Sequence, residues 1–176
     1  MNTELSMGPM SHNVYTLECF ENWYRIPLIG TKLFKRKTPK LKWRDKFHNL
    51  VVTAGLNKVL DATFKTGLTT PAWYVGLKGA GSVVAGDTMA SHSGWSEITP
   101  YSNSTRPAFT PGTISGGSVD NAAAKAVFNI NATATVVGAF LADDNTKGGT
   151  TGTLYGAGDF AASRSVASGD TLIRGL

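Results

Sequence analysis

A-V-F-N-I-N-A-T-A (126–134) and T-V-V-G-A-F-L-A (135–142) decide the fold class. In the first, apolar and polar residues alternate with a period of two, as in a strand with one buried face. The second is apolar nearly throughout, which predicts a central strand covered on both sides. The polar run Asp143–Gly149 that follows predicts a turn.

Working outward, the period of two recurs. Residues 72–77 (A-W-Y-V-G-L) and 95–98 (W-S-E-I) predict strands on either side of a long Gly/Ser/Ala loop, 78–94. Residues 106–109 predict an edge strand between prolines. Residues 153–155, 159–161 and 171–173 predict three short strands. Short strands divided by turn clusters point to a mainly β chain, a jelly-roll-like β-sandwich.

One stretch has helical periodicity: N-L-V-V-T-A-G-L-N-K-V-L-D-A-T-F, 49–64. Leu56, Val59, Leu60 and Phe64 follow the i, i+3, i+4, i+8 spacing and predict an amphipathic helix over about 53–66. Thr53 is the expected N-cap, with Asn49 as the alternative start, and Gly67 the expected C′ residue. The helix is expected to close one end of the sandwich with that apolar face and to act as its hinge to the preceding segment.

That segment is set apart by charge. The chain has 176 residues and a net charge of +5, with only 16% charged residues. From Trp23 to His48 stand nine cations and one acid, Asp45; that +8 leaves −3 on the rest of a chain whose total is +5. The cations are Arg25, Lys32, Lys35, Arg36, Lys37, Lys40, Lys42, Arg44 and Lys46, interleaved with Phe34, Leu41 and Trp43. Residues 14–33 show no clean period; a short helix over 15–24 fits them, broken by Pro27 and Gly30. The expected organisation is an extended N-terminal arm, 1–48, basic from 25 to 46, followed by a β-sandwich domain, 49–176. Two partners suit such an arm. An acidic protein surface would take the apolar residues as anchors and be steered by the cations. A nucleic acid would take the cations on phosphates and stack on Trp43 or Phe47. A merely solvated charge run has no need of large aromatics.

Motifs for catalysis or cofactors are near misses. Gly81–Thr88 has the glycine spacing of a phosphate loop, but Asp87 stands where the lysine belongs. Asp143–Gly148 imitates the start of a calcium loop, but Lys147 and Leu154 replace oxygen donors. His12, His48 and His92 have no metal-ligand spacing, and Ser91-His92-Ser93 lacks an orienting acid. The lone cysteine, Cys19, reads as a small buried thiol. No run is apolar enough to span a membrane, and no secretory leader is visible at the N-terminus. No enzyme activity and no cofactor is expected. Trp73, Tyr74, Trp95 and Tyr101 would suit a sugar site if exposed, and a core if buried.

Three stretches carry a family resemblance: F-H-N-L-V-V-T-A-G-L-N-K-V-L-D-A-T-F (47–64); A-W-Y-V-G-L (72–77) with A-G-D-T-M-A-S-H-S-G-W-S-E (85–97); and V-V-G-A-F-L-A, N-T-K-G-G-T-T-G-T-L-Y and V-A-S-G-D-T-L within 136–172. They resemble a family of tailed-bacteriophage virion structural proteins, and among these the capsid cement (decoration) proteins. The resemblance spans about 47–173 and leaves the basic segment outside. It implies a non-enzymatic component of the virion, assembled in the host cytoplasm, homo-oligomeric, and bridging major capsid subunits. A tail, collar or fibre-adaptor component is the alternative within that class, and a basic-armed nucleic-acid-binding module the alternative outside it. It assigns no catalytic or binding residue.

Overall fold

The structure, a computed structural model, describes residues 14–25, 28–29, 32–33, 36–65, 71–115 and 119–175. In chain order its elements are β1 (Val14–Arg25), β2 (Leu28–Ile29), β3 (Lys32–Leu33), β4 (Arg36–His48), β5 (Leu50–Val51), α1 (Thr53–Phe64), β6 (Trp73–Lys78), β7 (Glu97–Ile98), β8 (Ala108–Phe109), β9 (Ala126–Asn129), β10 (Ala134–Ala142), β11 (Leu154–Val166) and β12 (Thr171–Gly175). Two antiparallel sheets face each other. One has the order β4-β1-β12-β9, the other β5-β11-β10-β6-β7, with β8 also on β6. The chain is mainly β and forms a β-sandwich.

Side-chain alternation explains which residues fill it. Tyr15, Leu17 and Cys19 of β1, Phe47 of β4, Phe128 of β9 and Leu172 of β12 point inward from the first sheet. Val75, Leu77, Val136, Ala139, Leu141 and Phe160 meet them from the second. The second sheet is buried on its other face as well. There Phe140, Ala142, Leu154 and Ala157 pack under Val52, Met89 and Trp95. Cover on both sides is why 136–142 carries no polar alternation. As expected, β10 is central, between β11 and β6.

The expected arm is corrected here. Residues 14–25 and 36–48 are strands of the first sheet, paired with each other from Val14↔His48 to Arg25↔Arg36. Tyr15, Leu17, Cys19 and Phe47 are buried core residues. The domain boundary expected at 48 therefore falls inside the sandwich, and the helix expected over 15–24 is a strand. Residues 1–13 of the expected arm lie outside the described residues. The chain crosses from one sheet to the other at Asn49: β4 belongs to the first, and β5 pairs with β11 in the second. The crossing is tight. A Cβ at Gly158 of β11 would overlap the carbonyl oxygen of His48, so this position requires glycine.

Two further expectations change. The strands expected at 153–155 and 159–161 are one strand, β11. The helix starts at Thr53, but its N-cap is Val52, with no side-chain capping bond. Instead the Thr53 N–H donates to the Ala85 carbonyl (2.9 Å) and the Val52 N–H to that of Tyr155 (3.1 Å). The expected C′ residue, Gly67, lies outside the described residues. Of the expected apolar face, Leu56 and Val59 are half-buried, while Leu60 and Phe64 are exposed, Phe64 by 71%. The helix docks through a different position, Gly55, where a Cβ would overlap the Tyr155 carbonyl.

Gly55→Ala therefore sets helix propensity against packing. Alanine favours an isolated helix by about 1 kcal/mol, whereas forcing a methyl into a closed contact costs about 1–3 kcal/mol. The expected outcome is a lower urea midpoint. Gly86→Ala, where a Cβ meets nothing within 4 Å, should move stability by less than about 0.5 kcal/mol. A neutral or stabilising Gly55→Ala would contradict the proposed seat of the helix.

Candidate functional site

The basic strand β4 is the strongest candidate surface, and the structure divides its residues into two groups. From Lys40 to His48 they lie in the sandwich. Here Lys40, Lys42 and Arg44 meet acids of β1 and of the turn before β12. Arg44 Nε donates to Glu18 Oε1 (2.7 Å) directly across the β1–β4 register. Lys40 stands 3.8 Å from Glu21, also its register partner. Lys42 Nζ donates to Asp170 Oδ2 (2.8 Å), and this hydrogen bond, foremost among the causes, raises the ammonium's pKa. Asp45 turns inward, where Arg164 reaches it at 2.8 Å. Lys46 is exposed on the outer face.

The hydrophobic residues divide as well. Trp43 faces the core, with its ring centroid 6.2 Å from that of Phe160 and the Arg164 guanidinium 5.5 Å above it. It is a packing residue, so the stacking or anchoring role expected for it is corrected. Leu41 remains outside, 43% exposed. The switch comes from a bulge. The register shifts between Cys19↔Trp43 and Phe20↔Leu41, leaving Lys42 as the extra residue.

The second group is Arg25, Lys32, Arg36 and Lys37. Their backbones lie on β1, β3 and β4, with Arg25 opposite Arg36 and Lys37 opposite Tyr24. Phe34 and Lys35 lie outside the described residues.

Other groups with chemical potential are engaged in packing. Cys19 is fully buried, 3.8 Å from Asp170 Oδ2. His92 lies against Trp95, ring centroids 4.3 Å apart, with Nδ1 3.0 Å from the Thr88 carbonyl. Asp87, the residue that spoils the phosphate loop, accepts from the Trp95 indole and the Val84 N–H, both at 3.0 Å. In the loop that imitates a calcium site, Asp143 pairs with Lys58 (3.5 Å), and the Thr146 N–H holds the Asp144 carboxyl below its ordinary pKa. No cluster of three or more His, Cys, Asp or Glu that could hold a metal occurs among the described residues. Tyr101 and Trp95 are buried, and Trp73 and Tyr74 half-buried, so the suggested sugar platform is absent as a group. An open hollow beside α1, with Leu60, Phe64 and Lys58 on one side and Thr153 on the other, offers no catalytic pairing.

Three buried cations went unread in the sequence. Arg106 is fully buried and makes a two-pronged contact with Glu97 (3.1 and 2.7 Å), plus bonds to the carbonyls of Asp144 and Gly149. Lys78 pairs with Asp159 at 2.7 Å and donates to the Gly79 and Gly81 carbonyls. Arg174 lies 3.9 Å over the Tyr15 ring and donates to the Phe140 carbonyl (3.3 Å). Each partner is distant in sequence or is a backbone carbonyl, so no local pattern marks them.

The described residues thus define a β-sandwich protein in which Lys40, Lys42, Arg44, Lys78, Arg106 and Arg164 are paired with acids of the same chain. Compared with family models, curated proteins and solved structures, the chain matches none.

Burial, above all other causes, pushes the Cys19 thiol from 9.0 up to about 12. At equal pH the folded protein then holds roughly a thousandfold less thiolate than the unfolded chain. Iodoacetamide should label native Cys19 more than about a hundredfold more slowly than the urea-unfolded protein. Because the folded pKa is the higher, the folded state retains the proton. That contribution to stability is intact below pH 9 and is lost as pH rises towards 12. Cys19→Ala should remove this part of the alkaline loss. Equal labelling rates would contradict the buried position.

Proposed function

We propose that this chain is a non-enzymatic structural protein of a tailed-phage particle, a capsid cement (decoration) protein that bridges major capsid subunits as a small oligomer. The observation that carries the reading is where the three resembling stretches fall. They fall on the end of β4, β5 and α1; on β6 with the loop to β7; and on most of β10, the two ends of β11 and the start of β12. Those elements are the second sheet, its helical and loop cover, and one strand of the first. Within the stretch 85–97, Asp87, Met89, His92 and Trp95 are used to seat that loop on the sheet. The resembling strings therefore support a scaffold shared for its packing, which suits a particle component better than a catalyst.

The jelly-roll reading belongs with this proposal. Its support is the nested pairing in which β10 pairs with β11 in one sheet and β9 with β12 in the other. The nucleic-acid alternative draws less support than the sequence suggested, since Lys40, Lys42 and Arg44 are already matched by Glu21, Asp170 and Glu18.

Quantitative protein stoichiometry of purified particles tests the reading. A cement protein should match the major capsid protein in order of magnitude. A copy number set by a single ring would move it to the tail or collar, and absence from the particle would refute a virion role altogether.

A further inference from the structure

We propose that the distal ribbon of β1 and β4, continued by β2 and β3, is the attachment element of this protein, and that it docks on an acidic surface of another virion protein. The inference rests on the virion reading above and adds the contact.

The first observation is topological. β12 accompanies β1 only from Thr16 to Phe20. β4 accompanies it to Arg25, and β2 and β3 go on in the same register, Leu28↔Leu33 and Ile29↔Lys32. Beyond Phe20 the first sheet thus narrows to a two-stranded ribbon.

The second is a charge boundary at the same place. Up to the register pair Glu21↔Lys40, acids of β1 and of the turn before β12 face the β4 cations. Residues 22–39 contain Arg25, Lys32, Lys35, Arg36 and Lys37, and no acid. The register adds to the imbalance. Arg25 stands opposite Arg36, and like charges directly opposed destabilise an antiparallel pair. Carboxylates brought alongside relieve such an arrangement.

The third observation favours protein over phosphate. At the base of the ribbon Phe20 pairs with Leu41, which is 43% exposed. The same sequence segment carries Ile26, Leu28, Ile29 and Leu33. Duplex phosphates need only the cations. Aliphatic residues among cations suit a protein interface, in which apolar anchors are ringed by steering charges. Lysines and a proline (Pro39) on an edge strand can also serve simply to prevent edge-to-edge aggregation. In that case solubility, and not docking, would depend on them.

Zero-length carbodiimide cross-linking of intact particles distinguishes these. The expected result is amide links from Lys32 and Lys37 to aspartates or glutamates of a different virion polypeptide. If the chain is present in the particle but those lysines link to nothing outside it, the ribbon proposal falls and the virion reading stands. If the chain is missing from the particle, the virion reading itself falls. A second measurement uses two variants: the triple charge reversal R25E/R36E/K37E, and a shortened chain in which Asn-Gly replaces residues 22–39 between the register partners Glu21 and Lys40. The charge reversal should keep the native near-ultraviolet spectrum, the shortened chain, which loses Trp23 and Tyr24, should keep cooperative urea unfolding, and both should rebind particles lacking this protein about tenfold or more weakly. Undiminished rebinding overturns the proposal. So does binding of the wild-type chain to duplex DNA or phosphatidylserine vesicles that both variants lose while rebinding particles normally.

Discussion

The stack of Tyr15 on Phe47, with ring centroids 5.3 Å apart, and of Phe47 edge-on to Phe160 at 4.9 Å, ties the first third of the chain to the rest. Tyr15 and Phe47 face each other across the β1–β4 register, and Phe160 comes from the opposing sheet. Arg174 closes the group from β12. Its guanidinium covers Tyr15 and donates to the Phe140 carbonyl of the other sheet. Burial pulls this guanidinium's pKa down to about 10, with Tyr15 opposing that fall. Remove β1 and β4 and the second sheet's inner residues lose two of the four strands that face them. Each fully buried aromatic or large aliphatic is worth about 1.5–3 kcal/mol, comparable to a sizeable share of a domain's whole stability. The basic strand is therefore a constraint on folding before it is a surface.

The same logic governs the buried cations. An unpaired charge inside a protein costs several kcal/mol, so it is kept only where its hydrogen bonds are supplied. Arg106 draws together Glu97, Asp144 and Gly149, which fastens the 143–149 turn to β7. Lys78 binds the start of the loop after β6 through the Gly79 and Gly81 carbonyls, and reaches Asp159 on β11. These contacts hold the long loops that the chain's composition merely shows to be rich in glycine and serine. They belong to architecture.

The strand content after residue 70 was legible because alternation and turn chemistry there agree. The unbroken apolar run 136–142 read as a central strand for the reason the structure shows, cover on both faces. The first fifty residues misled for three physical reasons. Val14 and Phe20 are large apolar residues on the less buried face of β1, so no period of two stands out. The bulge at Lys42 reverses the alternation of β4 midway. The acids that balance its cations are 26 residues away in the case of Glu18 and 128 in that of Asp170, beyond any local count of charge. The helix misled differently. Its spacing of Leu56, Val59, Leu60 and Phe64 is regular, yet the position that touches the sheet is a glycine, which hydrophobic periodicity does not register. Of the candidate surface, the sequence marked the segment but not its division, in which Trp43 turns inward and Leu41 outward.

The proposed attachment starts from that division. Because its Lys40–His48 half is built into the sandwich, a partner of the proposed kind would be spared the ordering of a long flexible arm, a cost of about 1–2 kcal/mol per residue. Native-state amide hydrogen exchange on the intact, isolated chain tests this most directly. The β4 amides that pair with β1 between Lys40 and Phe47 should be protected to the same degree as those linking β9 to β12, opening only with global unfolding. Exchange of these β4 amides at rates of an unstructured chain, with β10 and β11 still protected, would contradict the account and restore a detached arm.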